Sequence, residues 1–130
     1  MINVNMKILS LIIGLFLSIQ ISGQEISFFK AMERQDINNV INLLDRRIEV
    51  CIDDSQELYT KREAIRVVQK WIRDVQPKTI EPLHGGESSD NSSHYQVAKM
   101  VTAKGDFRVF VYIEKGSGDP KIKKIQIDPF

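Results

Sequence analysis

The sequence predicts an α+β domain in which N-terminal helices pack on a curved antiparallel sheet. Helical spacing of apolar residues is confined to the part of the chain before Pro77, whereas apolar and polar residues alternate in short runs from residue 79 onwards. Turn residues such as Gly, Asp, Ser and Pro separate those runs. Helices first and strands afterwards is the order typical of α+β domains.

The N-terminus predicts export. Lys7 precedes an apolar run over residues 8–19, and small or polar residues follow it as far as Gly23. This run is shorter than the roughly 20 apolar residues that a membrane-spanning helix needs. We interpret residues 1–23 as a signal peptide cleaved after Gly23, so that residues 24–130 form one domain in the periplasm or outside the cell. An uncleaved anchor is the alternative, because Ile21 is a poor residue three positions before the cut.

Composition excludes several classes of function. Lys and Arg number 18 against 17 Asp and Glu, and no basic block stands out, so the electrostatic signature of a nucleic-acid-binding protein is missing. Cys51 is the only cysteine and cannot form an internal disulfide. Its apolar neighbours Val50 and Ile52 predict a buried, unreactive thiol. Packing alone must hold the domain together.

Two helices follow a break at Gln35-Asp36. Residues 37–44 carry apolar side chains at helical spacing behind Asp36, which we predict as the N-cap. The longest helix begins behind Thr60, which forms a capping box with Glu63, and must end before Pro77. Its apolar stripe comprises Ala64, Ile65, Val68, Trp71, Ile72 and Val75.

Strands account for the rest of the domain. A first strand is predicted over residues 48–53 with a short return at Leu58-Tyr59, and four more over residues 79–87, 94–103, 107–115 and 121–128. A tight turn at Lys104-Gly105-Asp106 would join two of them and place Thr102 opposite Arg108.

The chain resembles a family of uncharacterised secreted bacterial proteins, the domain of unknown function 4783. The resemblance covers residues 25–128. It depends on the predicted signal peptide followed by Phe28-Phe29 and Ala31, on the break at Gln35-Asp36, on residues 83–88 (Leu-His-Gly-Gly-Glu-Ser), on residues 95–98 (Tyr-Gln-Val-Ala), and on Thr102, Gly105 and Phe107-Arg108-Val109 in order. Gln35 departs from the glycine that the family commonly has before Asp36. The resemblance implies a nuclear-transport-factor-two-like (cystatin-like) cone, in which the sheet wraps around the long helix, and supplies no catalytic residues.

Four residues are candidates for a binding site: His84, Tyr95, Arg108 and Trp71. His84 lies beside two glycines that allow a close approach, and a histidine can act as a base near neutral pH, but it can equally bond a neighbouring strand. Arg108 is either a solvated strand residue or the partner of an acidic group in a clip or anion site. Trp71 and the aromatic residues of the strands are most simply packing residues.

No cofactor or metal is expected. His84 and His94 are the only histidines and lie on different predicted strands without ligand spacing. The sequence contains no nucleophile elbow, phosphate loop, dinucleotide fingerprint or zinc-protease helix.

These observations favour a non-enzymatic exported domain that binds either a small apolar ligand inside the cone or a protein along the outer sheet face. The predicted strand over residues 107–115 is apolar on both faces, and a second copy of the chain would be the simplest cover for the outer one, giving a homodimer. The alternative is a small cavity enzyme of the isomerase or dehydratase kind, with His84 or Asp53 as base and Tyr95 as hydrogen-bond donor. That alternative is a fold-level analogy to ketosteroid isomerase, a worked example of this chemistry.

Overall fold

A computed structural model describes residues 23–116 and 118–130. Its helices are α1 (Gly23–Glu33), a 3-10 helix (Asn38–Leu43) and α2 (Lys61–Val75), and its strands are β1 (Leu44–Ile52), β2 (Ser55–Thr60), β3 (Pro77–Glu87), β4 (Ser93–Thr102), β5 (Gly105–Glu114) and β6 (Lys121–Pro129). The predicted signal peptide lies outside the described residues except for Gly23. None of the described helices is long and apolar enough to cross a membrane.

The six strands form one mixed sheet in the order β2-β1-β6-β5-β4-β3. Neighbouring strands are antiparallel except β1 and β6, which run parallel. The predicted α+β class with a curved sheet is therefore confirmed, with one parallel pair that was not predicted. Register shifts interrupt β3 between Pro82 and His84 and β5–β6 between Tyr112 and Ile113. Such bulges bend a strand and increase its twist, which helps the sheet to curve.

The helix α2 forms as the sequence predicts. The Glu63 N–H donates to Thr60 Oγ1 (3.3 Å), and Thr60 caps the helix. The helix ends at Val75 because Gln76 adopts a left-handed conformation, with φ of 55°. Its apolar stripe is buried apart from the half-buried Trp71, whose ring meets Phe107 edge to face at 5.0 Å.

One apolar core lies between the helices and the sheet. The phenylalanine and methionine side chains of α1 enter it, and β5 contributes its alternate residues, all fully buried. Its largest fully buried side chains are Phe28, Met32, Ile37, Ile48, Ile72, Met100, Ile113, Ile122, Ile125 and Ile127. These side chains form the interior between the helices and the sheet.

Two local predictions are wrong. Residues 38–43 form a 3-10 helix with a kink at Val40, and Asp36 does not cap it: the Asp36 carboxylate accepts from the Asn39 side chain instead (2.7 Å). A six-residue segment that must turn at once into β1 favours the tighter helix. The β4–β5 turn uses Ala103-Lys104, so Arg108 lies opposite Lys99 rather than Thr102. Thr102 directs this turn by donating to the Gly105 carbonyl and accepting from the Lys104 N–H.

Cys51 is buried, as predicted. Burial raises the pKa of its thiol above the usual value of 9.0. The thiol therefore stays protonated at neutral pH, which agrees with a packing role.

Candidate functional site

The face of the sheet that is turned away from the helices, here called the outer face, carries an aromatic patch. In β5 the fully buried Val109, Val111 and Ile113 point into the core, so Phe110 and Tyr112 point to the outer face. Register places Tyr95 opposite Tyr112, Val97 opposite Phe110 and His84 opposite Val97. The aromatic patch is His84, Tyr95, Val97, Phe110 and Tyr112.

The rings of the aromatic patch contact one another. Tyr95 and Phe110 are stacked, with ring centroids 5.6 Å apart, and His84 meets the Tyr95 ring edge to face at 6.1 Å. Both arrangements are favoured by the charge distribution of aromatic rings. Tyr95 is 36% exposed and His84 is also exposed, so the patch is open to solvent at its centre.

Two glycines of β3 allow Tyr95 to pack closely against the backbone of that strand. A Cβ on Gly86 would lie 2.7 Å from Tyr95 Cε1, so the Tyr95 ring rests across the backbone of β3 where no side chain intervenes. A Cβ on Gly85 would lie 2.5 Å from Gln96 Oε1 and 2.7 Å from the Tyr95 carbonyl oxygen. The Gly-Gly pair beside His84 therefore allows close approach of β4, and no ligand is needed to explain it.

Charged residues surround the aromatic patch. At one end, Lys99 pairs with Asp106 (3.6 Å), and the Phe130 ring lies 4.8 Å from Lys99 Nζ and 5.3 Å from Arg108 Cζ. The Phe130 backbone N–H donates to the Asp106 carbonyl (2.9 Å), which fixes the C-terminus against β5. An apolar centre with a charged rim is typical of protein-binding surfaces.

At the opposite end of β5, Lys123 lies 3.4 Å from both Asp45 and Glu114. The carboxylates of Asp45 and Glu114 raise the pKa of Lys123, so it remains a cation at the edge of this face. Further across the sheet, Lys124 lies 4.0 Å from Glu49. The rim thus carries charges of both signs.

The structure brings three of the four predicted site residues to one face. His84 and Tyr95 are in contact, and Arg108 lies on the same face, exposed and beside Phe130. Trp71 lies on the other side of the sheet, against Phe107. Asp53 occupies the β1–β2 turn, separated from β4 by two strands, so it does not meet His84 or Tyr95.

Sequence reasoning placed Phe110 on the second apolar face of its strand, because it alternates with Val109 and Val111, but it did not assign Phe130 to this surface. Nothing in the sequence places the C-terminal Phe130 over Lys99 and Arg108. Among the described residues, no group of three or more His, Cys, Asp or Glu side chains could hold a metal ion.

Comparison with known proteins gives a family and a fold. The family model described as a domain of unknown function (DUF4783) matches residues 24–128. A DUF4783 family protein from Bacteroides ovatus has a similar structure, with a TM-score of 0.75 and 17% identity over 85% of this chain and 96% of that one. A search of curated proteins returned no match.

Two structures outside the family share the fold. The protein Rd1NTF2_04 with a long sheet, whose name contains the abbreviation of nuclear transport factor two, matches with a TM-score of 0.66 and 14% identity over 81% of this chain and 96% of that one. A putative calcium/calmodulin-dependent protein kinase type II association domain from Thiobacillus denitrificans matches with a TM-score of 0.64 and 6% identity, over 82% and 92% of the two chains. At these identities the likeness concerns the fold alone.

Proposed function

The chain belongs to the DUF4783 family, and from the geometry of its sheet we propose that it is a non-enzymatic binding domain whose outer face binds a second copy of the chain. The observation that carries this proposal is the aromatic patch, a group of contacting apolar rings that faces away from the core. Surfaces of this kind mark interaction sites when charged residues surround them. We further propose that the domain acts after export, because an apolar run over residues 8–19 precedes it.

The apolar residues of the outer face can pair with those of a second copy. This pairing requires a two-fold axis that lies in the interface and crosses the strands between Phe110 and Tyr112. It would place Phe110 against Tyr112 of the second copy and Val97 against Tyr95 of that copy. Complementary apolar contacts of this kind are what an isologous interface requires.

The same axis would bring opposite charges together at the rim. Arg108 and Glu114 lie on the outer face of β5, one on each side of the axis, so each would face the other residue of the second copy. In β6, Asp128 and Lys121 also lie on opposite sides of the axis, so Asp128 of one copy would face Lys121 of the other. Complementary rim charges fix the register of an interface and favour encounter.

Two further points support association over an interior site. The core between helices and sheet is filled by side chains such as Met32 and Met100, both fully buried, which disfavours a small apolar ligand inside the cone. The fold is also that of a protein named as an association domain. Of the residues in the enzyme alternative, Asp53 lies two strands away from Tyr95, and His84 meets Tyr95 on the exposed outer face of the sheet rather than inside the cone.

Sedimentation equilibrium of the purified protein between 1 and roughly 500 µM tests the proposal. We expect wild-type protein to assemble, and Phe110→Lys to halve the mass of the assembly at concentrations where wild type is fully associated. Because the substitution removes a central aromatic anchor from both copies, the dissociation constant of this interface should rise about 100-fold or more. Leu83→Ser is the matched control, since Leu83 is 43% exposed but lies outside the aromatic patch.

A second measurement covers the case in which Phe110→Lys fails to fold. Arg108→Cys combined with Glu114→Cys should form a cross-linked dimer on oxidation, whereas either substitution alone should not. In one chain these residues are six positions apart on a strand, roughly 20 Å, so a bond between them can form only between copies. A monomeric wild type at about 500 µM, or equal masses for wild type and Phe110→Lys, would overturn the proposal.

A further inference from the structure

The two edges of the sheet differ in whether another strand can add to them. At the β3 edge the outward Ile80 N–H donates to the Glu33 carboxylate at the end of α1 (3.0 Å). The next outward position of β3 is Pro82, which has no N–H. Proteins commonly protect an edge from strand addition in this way. The β3 edge is therefore blocked around Ile80 and Pro82.

The β2 edge presents its backbone groups outward. Asp53 donates its N–H to the Ile127 carbonyl of β6, so the odd-numbered residues of β1 bond β6 and the even-numbered ones bond β2. Ile52, which is paired with Ser55 across the two-residue turn, closes this hairpin. The N–H and C=O groups of Gln56 and Leu58 therefore point away from β1, as does the Thr60 N–H, whereas the Thr60 carbonyl accepts the first hydrogen bond of α2. In the described part of the chain no strand pairs with that side of β2.

The side chains of β2 do not protect this edge. The strand contains no Pro or Lys, and Leu58 in its middle is 60% exposed, more than the other exposed large apolar side chains. A charged turn, Asp53-Asp54, precedes β2, and two cations, Lys61 and Arg62, follow it. The segment thus has an acidic end and a basic end on either side of an exposed apolar centre.

From this pattern we propose that β2 pairs antiparallel with β2 of a second copy, with Leu58 on the two-fold axis. In this register Leu58 bonds Leu58 of the second copy, and Gln56 and Thr60 bond each other across the axis. The free outward groups form four backbone hydrogen bonds in all: two between the Leu58 residues and two from the Thr60 N–H groups to the Gln56 carbonyls. The two leucine side chains, which lie on the outer face opposite Glu49, cover each other.

Charge selects this register. Centring the pair on Leu58 directs the acidic turn of each copy, with the exposed Asp54, towards the start of α2 in the other copy, where the exposed Arg62 lies. Centring it on Glu57 would place two Glu57 side chains directly opposite each other, which is destabilising. The sequence of the edge is complementary to itself, and this is why a second copy rather than an unrelated peptide is the occupant.

The β2 interface is separate from the outer-face interface and does not depend on it. Its two-fold axis stands normal to the sheet, because the paired strands continue one sheet, whereas the outer-face axis lies parallel to the sheet. Perpendicular two-folds generate a closed tetramer of D2 symmetry when they intersect, and a longer oligomer when they do not. With both interfaces present, the protein therefore forms an assembly larger than a dimer.

Native mass spectrometry of four proteins at about 200 µM distinguishes the two interfaces. We expect wild type to be a tetramer or a larger oligomer, Leu58→Pro a dimer through the outer face, Phe110→Lys a dimer through β2, and the double variant a monomer. Leu58→Pro removes two of the four hydrogen bonds without touching the pairing with β1, so the dissociation constant of the β2 interface should rise roughly 30-fold or more. If the outer-face interface does not exist, wild type and Phe110→Lys are both dimers and Leu58→Pro is a monomer.

A charge exchange tests the register and remains informative should Leu58→Pro misfold. Asp54→Lys and Arg62→Glu should each weaken the β2 interface, and the double exchange should restore it. The two positions lie at opposite ends of β2, about 20 Å apart in one chain, so restoration must come from the contact between copies. The inference is wrong if Leu58→Pro leaves the oligomer distribution of wild type unchanged, or if the two exchanges weaken association additively.

Discussion

Replacing Gly85 with alanine should destabilise the fold by about 1–2 kcal/mol. The new Cβ would lie 2.7 Å from the Tyr95 carbonyl oxygen and 2.5 Å from Gln96 Oε1. The carbonyl is backbone and cannot rotate away, so β3 and β4 must separate locally. Overpacking of this kind costs about 1–3 kcal/mol. Alanine recovers about 0.4–1 kcal/mol by restricting the unfolded chain, which gives the net value.

Gly86→Ala makes the informative comparison, because its Cβ would meet the ring of Tyr95 instead of a backbone atom. The Tyr95 ring is partly exposed and can swing outward, which loses its stack with Phe110, worth about 0.5–1.5 kcal/mol. That loss nearly cancels the alanine gain. Gly86→Ala should therefore keep close to wild-type stability while weakening self-association through the aromatic patch.

Urea unfolding followed by circular dichroism measures both changes in the free energy of unfolding. Gly116→Ala is the control, since a Cβ there meets no atom within 4 Å, and its change should stay within about 0.5 kcal/mol. A Gly85→Ala variant as stable as Gly116→Ala would refute the reasoning. So would a Gly86→Ala variant that associates as wild type does.

Two further predictions concern residues away from the outer face. Serine hydroxyls of its own loop lower the pKa of Asp90 from 3.8 to about 2, so the ionised carboxylate stabilises the fold above pH 4 and this contribution is lost as the pH falls from about 4 to 2. In acid unfolding experiments, the free energy of unfolding of wild type should therefore exceed that of Asp90→Asn above pH 4, and the difference should disappear as the pH falls to about 2. A difference that stays constant down to pH 2 would contradict this. The buried Gln69 accepts from the Ile37 N–H (3.1 Å) and donates to the Gln35 carbonyl (2.8 Å). Gln69→Leu should cost about 2–3 kcal/mol in urea unfolding, because it leaves both backbone groups without their partner, and a cost no larger than that of the exposed control Lys70→Leu would argue against it.

The parts of the fold that follow from local pattern could be predicted from the sequence. Thr60 caps α2 as the capping-box pattern indicates, and the four later strands begin and end within two residues of their predicted bounds. Pairing between strands that are distant in the chain could not be predicted in this way, because periodicity shows which residues form a strand but not which other strand they pair with. The parallel pairing of β1 with β6 is of this kind.

The same distinction applies to the candidate site. His84, Tyr95 and Arg108 were identified as residues, but their common position on the outer face depends on the bulge between Pro82 and His84, which sets the register that places His84 opposite Val97. Trp71 was grouped with them because aromatic residues serve both cores and sites. Trp71 lies on the apolar stripe of α2 and its ring packs against Phe107, so it belongs to the core side of the sheet.

The location of the residues that folding does not explain is the strongest argument about function. Burial accounts for Phe28, Met32 and Met100, whose contribution to the core needs no further role. It does not account for an exposed tyrosine stacked on Phe110, or for an exposed leucine in the middle of an edge strand. Exposed apolar side chains that form a group on a sheet face, or that lie on an open edge, favour association. These two surfaces are therefore the first places at which to test the proposed association.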